Sequence, residues 1–263
     1  MSLIMLIVLS PAKSLDYESP VSSTIFTQAD FLNEAEQLIK IAKQLSAEQL
    51  SLLMNISPDL ARLNVNRFKA WKKKPKGGPL KQAIFAFNGD VYEGLQVKSL
   101  NAKQLDYLQS NLRILSGLYG VLRPLDLLQP YRLEMGTSLP NQYGKNLYAF
   151  WGGRVTASLN QLLLQNKSST LLNLASEEYF KVVKPVLFNG TIITPVFQDW
   201  KNGKFKIISF YAKRARGLMA RYCAERNIVD IEDVKNFNVD QYVYCEEESA
   251  EATWVFRRRI DVD

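Results

Sequence analysis

Histidine is absent from all 263 residues. Its absence excludes Ser–His–Asp and Cys–His catalysis, the HExxH zinc pattern and Cys/His zinc sites, leaving any chemistry to Lys, Arg, Tyr, Ser and carboxylates. Cysteine is nearly absent too: Cys223 and Cys245 stand far apart with no CxxC spacing, which suits a reducing compartment and a cytoplasmic protein. Long apolar runs are missing. Leu3 to Leu9 is seven residues, too short for a bilayer and without a basic segment before it, so it is expected to be a buried first strand rather than a signal peptide, and no membrane contact is expected. There is no repeat, coiled-coil pattern or long linker. With 47% apolar residues the chain has the means for a sizeable core. One compact α+β unit over residues 1–263 is expected, a mixed sheet surrounded by helices.

Acid is missing from two stretches. Leu60 to Gly89 holds no Asp or Glu but carries Arg62, Arg67, Lys69, Lys72, Lys73, Lys74, Lys76 and Lys81. Trp200 to Ala224 is likewise free of acid and holds Lys201, Lys204, Lys206, Lys213, Arg214, Arg216 and Arg221. Glu225 to Glu251 is acidic by contrast, and the net charge is +7. Such unevenness predicts a positive face that attracts polyanions, against the plainer reading of an evenly solvated basic surface. The loop KKKPKGGP, with Lys72, Lys73 and Lys74, has no competing acid and is a candidate phosphate-contacting flap.

Along the chain, the first strand delivers SPAK, placing Lys13 in a polar turn after a buried strand, where α/β proteins display functional groups. Residues 28–70 read as helices, with a capping box from Ser46 to Gln49 and a helix start at Ser57-Pro58-Asp59. AIFAF, Ala83 to Phe87, reads as a short strand before a turn that carries Tyr92, a stacking group or a lid on the core. LRILSGLYGVLRPLDLLQPYRLEMG, Leu112 to Gly136, packs Gly117, Gly120, Arg123, Tyr131, Arg132 and Glu134 into a punctuated segment. Gly117 and Gly120 allow close backbone approach and can present N–H groups to phosphate, as in a helix-hairpin-helix element; a simple structural turn is the alternative. Arg123 and Arg132 suit bidentate phosphate or carboxylate contacts, with Glu134 as an orienting group or a base. TLLNLASEEYF predicts a buried strand, Thr170 to Leu174, then a turn presenting Asn173, Ser176 and Glu178. Asn202-Gly203 signals a hairpin. The helix after it carries Lys213 and Arg216 on one side, with Tyr211 near its start.

The segments SPAKSLDY, FNGDVYEGL, LSGLYGVLRPLDLLQPYRLEMG, NLASEEYFK and NGKFKIISFYAKRARGLMARY closely resemble the bacterial peroxide stress resistance protein YaaA family, nearly end to end. The resemblance implies a cytoplasmic protein of the hydrogen peroxide response that limits DNA and protein oxidation by keeping unincorporated iron low. It also implies a distinctive fold with a basic cleft, a helix-hairpin-helix-like element and binding of double-stranded DNA. The cleft positions it points to are Lys13, Arg123, Tyr131, Arg132, Glu134, Asn173, Ser176, Lys206, Lys213 and Arg216; the hairpin falls on Leu112–Asp126, with Gly-x-x-Gly spacing in place of the usual Gly-x-Gly. Two functions follow. One is a DNA-binding protein that shields or surveys DNA. The other is a lesion-processing or nucleotide-processing enzyme with Lys13 as amine nucleophile, assisted by Glu134 and Ser176. No cofactor and no metal site are expected: Glu246, Glu247 and Glu248 form no preorganised ligand set, and lowered iron would be an indirect effect.

Overall fold

The structure, a computed structural model, describes residues 5–259. Strand β1 (Leu6–Leu9) is buried throughout, as an all-apolar run bounded by polar residues should be. The other strands of the main sheet are β2 (Leu112–Ser116), β3 (Gly120–Leu122), β4 (Thr170–Leu174), β5 (Thr191–Lys201), β6 (Lys204–Lys206), β7 (Val243–Ala250) and β8 (Thr253–Arg258). Their order across the sheet is β7-β8-β5-β4-β1-β2-β3, with β6 paired to β5. From β8 to β2 the neighbours are parallel, whereas β3, β6 and β7 are antiparallel to their partners. The mixed α+β architecture expected from the sequence is therefore present.

The order of those strands creates a crevice. From β1 the chain crosses to β2 on one side, and after the β2–β3 hairpin it returns past β1 to β4 on the other. Strand order thus reverses between β1 and β4, and in parallel sheets the carboxyl ends of two such strands open a ligand-accessible cleft.

The helices follow local signals. Helix α1 (Leu32–Ala42) buries Ala35, Leu38, Ile39 and Ala42 at helical spacing. Helix α2 (Ala47–Met54) starts at the expected Ser46/Gln49 capping box, and α3 (Pro58–Ala70) starts at Ser57 with proline in its first turn. Helices α4 (Asp90–Leu95), α5 (Ala102–Asn111), α6 (Arg154–Asn166) and α7 (Ser209–Arg226) complete the longer elements. Helices α4 and α7 meet backbone to backbone. A Cβ on Gly94 would strike the Arg214 carbonyl oxygen, and one on Gly217 the Val91 carbonyl oxygen. Outside the main sheet, Ser14–Leu15 pairs with Phe87–Asn88, and Asp126–Leu128 holds Thr27–Gln28 and Lys81–Gln82 on its two sides.

The described part of the expected first strand is Leu6–Leu9, while Leu3 and Ile4 lie outside the described residues. Other expectations need correction. Ala83–Ala86 is a helical turn rather than a strand, because a short buried apolar run has no period to distinguish the two. The Leu112–Asp126 stretch is not helix-hairpin-helix-like. It is the β2–β3 hairpin followed by the start of Asp126–Leu128, and its tip is buried. Gly117 and Gly120 are needed for close approach to the protein itself. A Cβ on Gly117 would meet the Leu133 carbonyl, and Gly120, at φ +69°, lies under the Trp151 ring.

Candidate active site and basic cleft

Ser10 follows β1 and Ser176 follows β4, so the two serines sit at the carboxyl ends of the strands flanking the crevice. Ser176 N–H donates to Ser10 Oγ at 2.8 Å, and Ser10 Oγ lies 3.2 Å from Ser176 Oγ. Tyr92, buried on α4, donates its hydroxyl to the Ser10 carbonyl at 3.1 Å. Burial, reinforced by Tyr131 and Tyr179, pushes the Tyr92 phenol far above its usual range, so it stays a neutral donor. Asn173 shapes the same turn from β4. Its Oδ1 accepts from Ala175 N–H at 3.1 Å, and its amide donates to Thr194 Oγ1 at 3.2 Å.

Lys13 emerges three residues beyond Ser10. Its ammonium lies 3.2 Å from Glu134 Oε2, while Arg132 Nε and Nη2 both donate to Glu134 Oε1, at 3.0 and 2.9 Å. Glu134 therefore divides its two oxygens between a largely exposed lysine and a mostly buried arginine, with side-chain exposures of 60% and 16%. The segment is anchored from the other side of the crevice: Gly136 N–H donates to Glu178 Oε1 at 3.0 Å, and Tyr148 hydroxyl donates to the Glu178 carbonyl at 2.7 Å. Beneath this layer Tyr131 shares a 2.6 Å hydrogen bond with Ser116, and its ring packs edge-on to Tyr119. Burial raises the phenols of Tyr131, Tyr179 and Tyr119, the last to about 12.

Arg67 lies near Arg132, close enough to feel its charge. Arg67, half-buried on α3, has a weak 3.4 Å contact with Asn64 Oδ1 and no carboxylate partner among the described residues; burial and then the Arg132 charge push its guanidinium down, with Tyr17 opposing. Arg67 lines a cavity of about 570 Å³ with Lys72 and Lys76 on the Lys72–Pro79 loop, and no Asp or Glu is among its described lining residues. Lys73, half-buried, hydrogen-bonds Asn33, and Lys74 is exposed on the same loop.

The structure brings Lys13, Arg132, Glu134, Ser176, Glu178, Tyr92, Tyr131 and Asn173 around one end of the sheet. It sets others elsewhere. Arg123 belongs to a different cavity: it bonds Asp126, Asp30 and the Gln28 carbonyl, beside Arg113 and Arg154, and burial with the Arg123 charge pushes Arg113 down to about 10. Glu134 thus orients Arg132 and Lys13 and is not a partner of Arg123. Gly117 and Gly120 are spent on packing. On the α7 side, Lys213 pairs with Asp90 at 3.6 Å, and half-buried Arg216 has no hydrogen bond or ion pair among the described residues. Lys206 lies opposite Asp199 in the β5–β6 hairpin, and Tyr211 carries Arg258 over its ring at 4.8 Å. Ser10 and Tyr179 stand outside the expected site residues, and the sequence marks Arg67 only as one cation of the acid-free Leu60–Gly89 stretch. Ser10 had a signal in SPAK; the other two are placed by long-range contacts that local spacing does not encode.

Among the described residues no helix is long and apolar enough to cross a membrane, and no three Cys, Asp or Glu side chains form a group fit to hold a metal ion.

Comparison with known proteins places this geometry in context. Residues 5–248 match the family model described as peroxide stress protein YaaA. A UPF0246 protein of Janthinobacterium sp. (strain Marseille) is 60% identical over 258 residues, covering 98% of this chain and 100% of its own. One from Polynucleobacter asymbioticus is 59% identical, with 97% and 98% covered, and one from Azoarcus sp. (strain BH72) is 55% identical, with 98% and 100% covered.

Proposed function

The chain belongs to the peroxide stress protein YaaA family, and on that premise we propose that it acts in the cytoplasmic response to hydrogen peroxide by binding double-stranded DNA along a track of basic side chains. Oxidative damage to DNA is limited by this contact, and lowered free iron follows downstream of it. One observation carries the reading. Arg67 and Arg132 stand within each other's field, and among the described residues Arg67 has no carboxylate partner and the neighbouring loop cavity is lined by no Asp or Glu. Arg132 is neutralised by Glu134. It is therefore Arg67, set in the field of a second cation with no carboxylate of its own among the described residues, that an incoming anion stabilises most, and the loop lysines beside it suit successive phosphates. Arg216 and Lys213 extend the contact from the other flank, with Lys72, Lys74 and Lys206 as peripheral cations.

The test is binding to an undamaged duplex across a salt series. Arg67→Ala and Arg216→Ala should each weaken affinity several-fold and flatten the plot of log K against log salt by about one unit. Unchanged slope and affinity in folded variants would remove those residues from the interface.

A second reading, lysine-based lesion processing, is favoured by the gathering of Lys13, Glu134 and Ser176 at one strand end. In it the Lys13 amine condenses with the aldehyde of an abasic sugar, releasing water and forming an imine that borohydride reduces to a stable amine. The setting argues against it: Lys13 is exposed and held on a carboxylate, whereas nucleophilic lysines are set in apolar or cationic surroundings. Borohydride trapping on an abasic duplex decides the matter. We expect no adduct; an adduct abolished by Lys13→Ala would establish the enzyme.

A further inference from the structure

We propose that the cavity between α3 and the Lys72–Pro79 loop is a pocket for a single nucleotide, with an aromatic base on its apolar floor and the attached phosphate on its cationic rim. For a nucleotide carried in DNA, this rests on the binding reading above. The cavity of about 570 Å³ has the size of a small-molecule site. Its chemistry is divided. Leu63, Ala70, Trp71, Pro75, Pro79 and Pro130 supply an apolar surface, and Arg67, Lys72 and Lys76 supply charge of one sign. A groove that touched sugar–phosphate backbone alone would have no use for the apolar half. A bare phosphate would fill a small part of the volume. An aromatic body with an anionic end satisfies both halves, and Asn66 on the same wall offers an amide that both donates and accepts towards a base edge.

The floor is pre-formed. Trp71 is 2% exposed, and its Nε1–H donates to the Tyr119 hydroxyl at 2.9 Å; Gln129 N–H reaches the same oxygen at 3.3 Å. Gln129 then clamps the mouth, accepting from Lys72 N–H at 3.1 Å and donating to the Lys72 carbonyl at 2.6 Å. Fixed walls reduce the ordering cost of binding. The far rim is built differently: Gly77 and Gly78, at φ +148° and +100°, have nothing within 4 Å of a side-chain position, so the loop arches over open space.

A nucleotide reaches such a pocket free in solution or turned out of a duplex at a weakened pair. The experiment separates these. Adenosine monophosphate and ribose 5-phosphate are titrated calorimetrically; duplexes carrying 2-aminopurine, fully paired or mismatched, are followed by fluorescence. Wild type and Ala70→Trp are compared, since Ala70 is exposed at the end of α3 and the larger ring fills the floor without removing a cation. The expected result is binding of the monophosphate well above ribose phosphate, and a 2-aminopurine signal at the mismatch. Ala70→Trp should weaken both by about tenfold, the scale of one stacked base, and leave the paired duplex bound. Equal binding of ribose phosphate, or an Ala70→Trp variant as good as wild type, overturns the pocket. Should the paired duplex fail to bind while the monophosphate binds and is lost in Ala70→Trp, the DNA reading falls and the pocket stands for free nucleotide.

Discussion

Gly217→Ala is expected to destabilise the protein by about 2–4 kcal/mol, although alanine is the better helix former by about 1 kcal/mol. The sign reverses because the added methyl group meets main chain. Its nearest neighbours would be the Val91 carbonyl oxygen and, at 2.8 Å, Leu95 N, neither of which can rotate away. Gly94 faces α7 in the same manner, against Arg214 and Leu218 backbone, so the helices must separate for either substitution. Separation would also shift Lys213 from Asp90 and Tyr92 from the Ser10 carbonyl, so the crevice should lose order along with stability. Thermal unfolding is the measurement, and a fall of roughly 5–15 °C is expected for a chain of this size. Gly153→Ala is the control: its methyl would meet Leu187 Cδ1 at an ordinary 3.5 Å, and its melting point should stay near wild type. A Gly217→Ala protein melting with that control would mean that the helices do not touch.

Asp199→Ala should cost more, about 3–5 kcal/mol, because it strands a buried cation. Asp199 and Arg258 are 4% and 3% exposed. Arg258 Nε donates to Asp199 Oδ1 at 2.7 Å, and the Tyr242 hydroxyl donates to Oδ2 at 2.9 Å. Without that carboxylate, Arg258 keeps Asp240 at 2.6 Å, an acid it already shares with Arg214. Replacing both members, Asp199→Leu with Arg258→Met, removes the stranded charge and should recover much of the loss. Denaturant unfolding of the single and double variants measures this; a single variant within about 1 kcal/mol of wild type would show that water or Asp240 satisfies Arg258.

How much of this was legible in the sequence depends on the range of each contact. The Ser46 and Ser57 caps and the Asn202-Gly203 turn are decided within four residues, and they appear where the local chemistry puts them. Strand β4 and the turn at Ser176 also follow from a bounded apolar run. Ala83–Ala86 is helical where the sequence suggests a strand, because its few buried residues fit either period. The glycines of GLYG announced close approach correctly but could not say to what, and the answer is Leu133 and Trp151. Arg123 and Arg132 look alike in sequence, both flanking a punctuated turn. They part because Arg123 is drawn to Asp30 and Asp126, whereas Arg132 is drawn to Glu134. Asp30 is remote in the chain, and no local pattern announces it.

Glu134 has a thermodynamic consequence of its own. By occupying Lys13 and Arg132 together, it serves as a resident counter-ion, so those two cations hold a carboxylate where others would hold salt from solution. A phosphate arriving there exchanges with a side chain and frees little bulk electrolyte, whereas one arriving at Arg67 or the Lys72 loop frees its full share. The salt slope of the wild-type protein should then undercount the phosphates it grips. Glu134→Gln should bind more tightly at low salt yet respond more steeply to added salt, as two cations return to the solution's account.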